Sequence, residues 1–263
     1  MPEITPTSNS MAPVGSEENP IPVNVKPEAP DPVVTAIAAL PGAVSRHTAA
    51  FRNSADYSAN LPADIRQALS AASSAIESTI TTAEQARERA DGFRNDIRLY
   101  PEGREVLASE AMKTAQEAAG ESLADADARI TVADALLYEA ARPTLSAADG
   151  MTARADLQML TQRHVGNSGA LADVLKRAAQ RNDAVGALVA NSTYLTDFLA
   201  ANGVDSVTSS AILTLVRAEV TRAAANSGDP KRAAAGRTSL AVTELKRARA
   251  AATNYKRHML GEK

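Results

Sequence analysis

The chain has 263 residues, a net charge of −3 and 44% hydrophobic residues, yet aromatics make up only 3% and tryptophan is absent. Much of the hydrophobic share is alanine, which argues against a thick aromatic-rich core and for closely packed helices, because Ala gives up no side-chain entropy on entering a helix. There is no cysteine, which excludes disulfides and thiolate metal sites, and no apolar run approaches the roughly 20 residues that span a bilayer, so the expectation is a soluble protein without membrane contact.

Residues 1–30 read as an extended N-terminal arm. Prolines recur through MPEITPTSNSMAPVGSEENPIPVNVKPEAP, fixing φ and removing donors, and they leave no room for a useful helix. The arm is acidic and lacks a basic segment followed by an apolar one, so no signal peptide is expected. Its few apolar side chains, Ile4, Ile21, Val23 and Val25, are the candidate anchors on a neighbouring subunit. Asp31-Pro32 then offers a cap followed by proline at the first helical position, and one or two short helices are expected within 31–60, interrupted near Pro41-Gly42.

Residues 61–142 hold the clearest pattern. Leu69, Ile76, Ala83, Ala90 and Ile97 recur every seven residues, and so do Ile65, Ala72, Thr79, Ala86, Phe93 and Tyr100. Such rows predict a seam along one long helix. After Pro101 and Gly103, two further rows predict a second: Leu123, Ile130, Leu137 and Met112, Ala119, Ala126, Ala133, Ala140. A short connection makes the pair an antiparallel hairpin, with Ile97 opposite Val106, Ile80 opposite Leu123 and Ile65 near Tyr138. At ~1.5 Å per residue such a helix reaches about 57 Å, so an elongated molecule is expected. The seam is rich in alanine and buries little area, so it calls for cover from a later helix or from a neighbouring subunit.

Residues 143–228 read as a compact bundle of shorter helices, dense in Leu188, Val189, Tyr194, Leu195, Phe198 and Leu199, with Ile212, Leu215, Val216 and Val220 on the face of a longer one. In 229–263, Asp229 and Pro230 open a basic C-terminal helix with Leu240, Leu245 and Tyr255 on one side. No strand is predicted, and the fold class is all-α.

Chemistry is sparse. His47, His164 and His258 stand in no metal-ligand spacing, and no phosphate-loop, nucleophile-elbow or calcium-loop motif occurs. Glu84, Glu88 and Asp91 alternate with Arg87, Arg89 and Arg94, the pattern of a solvated face. No catalytic, metal or cofactor site is therefore predicted, and no enzyme. The charged feature with content is the C-terminal helix: Lys231, Arg232, Arg237, Lys246, Arg247, Arg249, Lys256 and Arg257. Residues 63–142 carry 15 acids against 9 bases, and 229–263 carry 3 acids against 9 bases. Three readings stay open for this helix: a DNA-backbone contact, docking on an acidic protein surface such as the hairpin, or a solvated helix favoured by its own C-terminal cations.

The proline-rich MPEITPTSNSMAPVG arm, the paired helices LPADIRQALSAASSAI and GESLADADARITVADALL, and the basic ELKRARAAATNYKRHML together resemble tailed-bacteriophage virion proteins, above all helical head-to-tail adaptors. The resemblance is one of architecture and composition over the whole chain. It implies a homo-oligomeric ring between portal and tail, with virion proteins as partners, the genome passing through its lumen and a virion location, or the bacterial cytoplasm before assembly. Two other classes stand beside it: a phasin-like or scaffold-type helical coat protein, and a DNA-binding module built on residues 230–258.

Overall fold

The computed structural model describes residues 31–55, 60–146, 148–164 and 166–261. All regular structure among them is helical. Two units separate at Ala36/Ile37, and the architecture below is that of the second.

Helix α1 (Pro32–Ala38) begins as expected, with the Asp31 carboxylate accepting from Val33 N at 2.8 Å. The chain breaks at Ala39, two residues before the predicted interruption, and α2 runs over Leu40–Ser54 with Pro41 in its first turn, where its missing N–H is no loss.

Helices α3 (Ala63–Asn95) and α4 (Pro101–Ala141) form the antiparallel hairpin. Its seam follows the heptad rows: Ile65, Leu69, Ala72, Ile76, Ala83 and Ala90 from α3 are buried against Ala108, Ala119, Leu123, Ala126, Ile130, Ala133 and Leu137 from α4. At ~1.5 Å per residue these helices are about 50 and 60 Å long.

Two predicted facings fail. Ile97 and Val106 do not meet; they are 86% and 55% exposed. The reason is local. Asp96 accepts from Arg98 N at 3.0 Å and from its guanidinium at 2.9 and 2.8 Å, a turn that ends α3 at Asn95 before its last heptad position. Ile65 packs with Leu137 and Ala141, while Tyr138 turns to the other side of α4 and donates its hydroxyl to Ala190 O at 2.9 Å. Ile80 and Leu123 do share one cluster, as the register requires.

Cover for the alanine seam comes from the same chain. Helix α10 (Pro230–Leu260) lies along the hairpin, antiparallel to α4, with Ala241, Val242, Leu245, Ala248 and Ala252 in the α3/α4 core and Tyr255 and Leu260 beside Ala83, Ala86, Ala115 and Ala119. Helix α2 runs antiparallel to α10 and adds Val44 and Phe51, completing a four-helix layer. Leu240, expected on the inner side, is 46% exposed; it lies to the side of the Ala241/Leu245/Ala248 face.

Helices α5 (Asp149–Thr161), α6 (Ser168–Ala179), α7 (Ala184–Val189), α8 (Ser192–Ala201) and α9 (Ser206–Ala225) form the second core, around Leu157, Leu171, Leu175, Leu188, Val189, Leu195, Leu199, Ile212, Val216 and Val220. Leu215, predicted on the same face as Ile212, is partly exposed. Side-chain caps punctuate the bundle: Asn167, Asp183, Asn191 and Asp205 each accept from a first-turn amide at 3.0–3.1 Å. Gly236 of α10 crosses α9 so closely that a Cβ there would lie 2.3 Å from Ala225 N.

Candidate interaction surfaces

Several cations of α10 pair within the chain. Lys246 reaches Asp134 of α4 at 2.8 Å, and Arg249 pairs with Asp127 at 3.4 Å. Arg247 pairs with Glu244 one turn back at 2.5 Å. Lys256 is 8% exposed, lying where Gly120 leaves room: a Cβ on that glycine would be 3.6 Å from the ammonium nitrogen. Lys256 and the exposed Arg237 both have partners. Lys231 and Arg257 are exposed. Two of the expected cations thus dock on acids of the hairpin.

Arg232 has a different task. Its Nε donates to Ala141 O, the last carbonyl of α4, at 3.1 Å, and Nη1 donates to the Asn182 side chain in the α6–α7 loop. It thereby ties the starts and ends of three elements together. Burial pushes its pKa below the usual arginine value, since both acceptors are neutral and the carboxylate that opposes the shift, Asp229, does so only in part. Arg232, Lys231, Arg142 and Glu139 line a cleft of about 580 Å³, in which Arg142 pairs with Glu139.

The hairpin offers a second surface. Contacts with α10 end where Arg87 meets Met259, the guanidinium lying 3.5 Å from the sulfur. Past that point Ala90 of α3 and Ala108 of α4 are buried, Phe93 and Leu107 are partly buried, and Ile97, Tyr100 and Val106 are 86%, 87% and 55% exposed. The charges around this tip pair with one another: Arg94 with Asp91 at 3.2 Å and with Glu105 at 3.4 Å, and Asp96 with Arg98. The Arg98 hydrogen bonds hold the Asp96 carboxyl down at about 2.

The arm residues Ile4, Ile21, Val23 and Val25 lie outside the described residues. Among the described residues no group of three or more His, Asp or Glu side chains could hold a metal ion, and no helix is long and apolar enough to cross a membrane. His47 contacts Glu244, while His164 is half-buried and His258 is exposed.

Sequence reasoning passed over Glu219. It stands seven residues after Ile212, on the same buried face of α9, and that position was the available signal. Gln180 donates to it at 3.0 Å, Arg222 at 2.5 Å, and Lys176 lies at 3.8 Å. The hydrogen bond from Gln180, then the two cations, hold its carboxyl below the usual glutamate range against the opposing effect of burial. Through the Gln180 and Lys176 contacts the group ties the C-terminal end of α6 to α9.

Compared with protein-family models, with curated proteins and with solved structures, the chain has no match.

Proposed function

We propose that this chain is a non-catalytic assembly protein, of the kind represented by head-to-tail adaptors in tailed phages, which forms a ring and holds its neighbours through the N-terminal arm and the hairpin tip. The observation that supports this reading is the hairpin itself. Its chain covers the alanine seam with α10 and α2 along most of its length, yet the last two turns run on uncovered and end in Ile97, Tyr100 and Val106. Large apolar side chains left exposed at the end of a long helical pair are costly in water and gain by meeting another protein surface. In this reading the tip meets the next protein of the assembly. The arm would use Ile4, Ile21, Val23 and Val25 to hold a neighbouring copy.

The DNA-module reading draws less support, because Lys246, Arg247 and Arg249 already have carboxylate partners within the chain and binding phosphates would require giving those up. The coat-protein reading needs amphipathic faces free to lie on a particle, whereas the apolar faces of α3, α4 and α10 are turned on one another.

Native mass spectrometry of the pure protein, alone and with a portal-type partner, tests the proposal against two variants: deletion of residues 1–30 and the double substitution I97D/Y100D. The expected result is a ring-sized assembly, twelvefold if the adaptor resemblance holds, that both variants weaken while helicity by circular dichroism stays close to that of the parent. A protein that stays monomeric under every condition, or variants that assemble like the parent, would overturn it.

A further inference from the structure

The groove between α2 and the first three turns of α3 is chemically unlike the rest of the surface. Arg52 reaches into it from α2. From α3 come Ala63, Arg66, Gln67, Ser70 and Ser73, which the 3.6-residue repeat brings to one face. The cavity measures about 390 Å³, within the range of small-ligand sites. Its polar lining is made of donors: two guanidiniums, a carboxamide and two hydroxyls. Among the described residues no carboxylate lines it.

Two further facts bear on what it holds. Glu77 is already engaged in the α2–α3 seam, where Oε1 accepts from Thr48 at 2.6 Å and Oε2 from Arg52 at 2.5 Å. Arg52 is held in place by that contact and by Ser73 Oγ at 3.1 Å, which use one of its terminal nitrogens. Arg66 has no such partner. Its Nε is buried and donates to nothing, and the side chain makes no ion pair among the described residues. A buried donor on a charged group left unsatisfied is destabilising, and two like charges facing one groove add to the cost. An oxyanion bound in the groove offsets the like charge of the two guanidiniums.

We infer that this groove binds a phosphate-type oxyanion, with Arg66 as the principal ligand through its guanidinium fork and Arg52, Gln67 and Ser70 completing the shell. A tetrahedral dianion matches the arrangement because a guanidinium offers two parallel N–H donors to two of its oxygens, and the hydroxyls and amide can supply donors to the others. The inference stands apart from the assembly role proposed above and uses neither the hairpin tip nor α10.

Thermal unfolding of the full chain, followed as inorganic phosphate is added and compared with chloride at matched ionic strength, tests it. Phosphate is expected to raise Tm saturably and chloride is not. Arg66→Gln should weaken the apparent affinity by about tenfold or more. Exposed Ser70→Ala, which leaves the core untouched, should weaken it by a smaller factor, and broadening of the phosphorus-31 resonance gives a readout independent of stability. A parallel titration with glycerol 3-phosphate distinguishes the source: tighter binding than phosphate assigns the groove to a small phosphomonoester, and equal or weaker binding assigns it to free phosphate. Equal responses to phosphate and chloride, or a phosphate response in Arg66→Gln and Ser70→Ala unchanged from the parent, would overturn the inference.

Discussion

His47 Nδ1 lies 2.7 Å from Glu244 Oε2, a contact between residues 197 positions apart that fixes α2 against α10. On its other oxygen Glu244 accepts from Arg247. The hydrogen bond from His47 is the first cause of a Glu244 carboxyl held below its ordinary range, with Arg247 adding to it. A carboxyl whose pKa is lower folded than unfolded stabilises the fold above the unfolded value, and that contribution disappears as pH falls through the folded one. Glu244→Gln should therefore lower the urea midpoint at neutral pH. The difference from the parent should shrink through the acid range and vanish once Glu244 itself is protonated. Urea melts of both proteins across that range check the sign; a difference that grows toward acid would contradict it.

Leu240 and Leu245 of α10 differ sharply in burial. Leu245 is fully buried in the core shared by α2, α3, α4 and α10, whereas Leu240 is nearly half exposed. Leu245→Ala removes buried methyl groups from a site where alanines on three sides leave little to collapse inward, and should cost about 2–5 kcal/mol. Leu240→Ala should change stability by no more than about 0.5 kcal/mol. Chemical denaturation of the two variants measures both. Equal losses would mean that α10 is rotated from the orientation described.

How far the sequence reaches can be seen in these same elements. The hairpin was legible because its two helices repeat apolar residues every seven positions, and that repeat alone fixes which side chains meet, from Ile65 with Leu137 up to Ala83 with Ala119. At the tip the rule fails, since Asp96 hydrogen-bonds the backbone and guanidinium of Arg98 and ends the helix before Ile97 can take its heptad place. The role of α10 was hidden for another reason. Its buried face is made largely of alanine, which carries little hydrophobic contrast, so the eye goes to its cations, and the partners of those cations lie on α4 more than 100 residues away. The Arg52/Arg66 groove was out of reach altogether, because nothing in the spacing of α2 and α3 says that two arginines 14 positions apart will line one cavity.

Glycines offer a cleaner test of the packing. Gly236 lies where α10 crosses α9, and a Cβ there would stand 2.3 Å from Ala225 N and 2.8 Å from Ala225 Cα, backbone atoms with no rotamer to change. Gly236→Ala should lose about 1–3 kcal/mol or more by forcing the helices apart. Gly92, within α3, has nothing within 4 Å of the same position. There Gly92→Ala should gain about 0.5–1 kcal/mol, because alanine loses less backbone entropy in a helix. Differential melting of the pair gives opposite signs if the close crossing is real, and two gains if it is not.

The triple substitution K246Q/R247Q/R249Q addresses what the basic helix is for. If its charge served to hold phosphates, neutralising three cations would flatten the salt dependence of duplex binding and leave the fold intact, since each phosphate contact contributes about 0.9 to the slope of log K against log salt. The geometry gives these side chains other work: Lys246 and Arg249 bind Asp134 and Asp127 on α4, and Arg247 binds Glu244. Exposed pairs of this kind are worth about 0–1 kcal/mol each, so the triple variant should be modestly less stable, and the loss should shrink in high salt, where the parent's pairs are screened. Asp134 is held by Arg217 as well, at 3.4 Å, so Asp134→Asn should cost more than the loss of Lys246 alone. A triple variant with unchanged stability but abolished duplex binding would return α10 to nucleic acid; a stability loss that salt suppresses, with little duplex binding in either protein, ties the helix to the hairpin it covers.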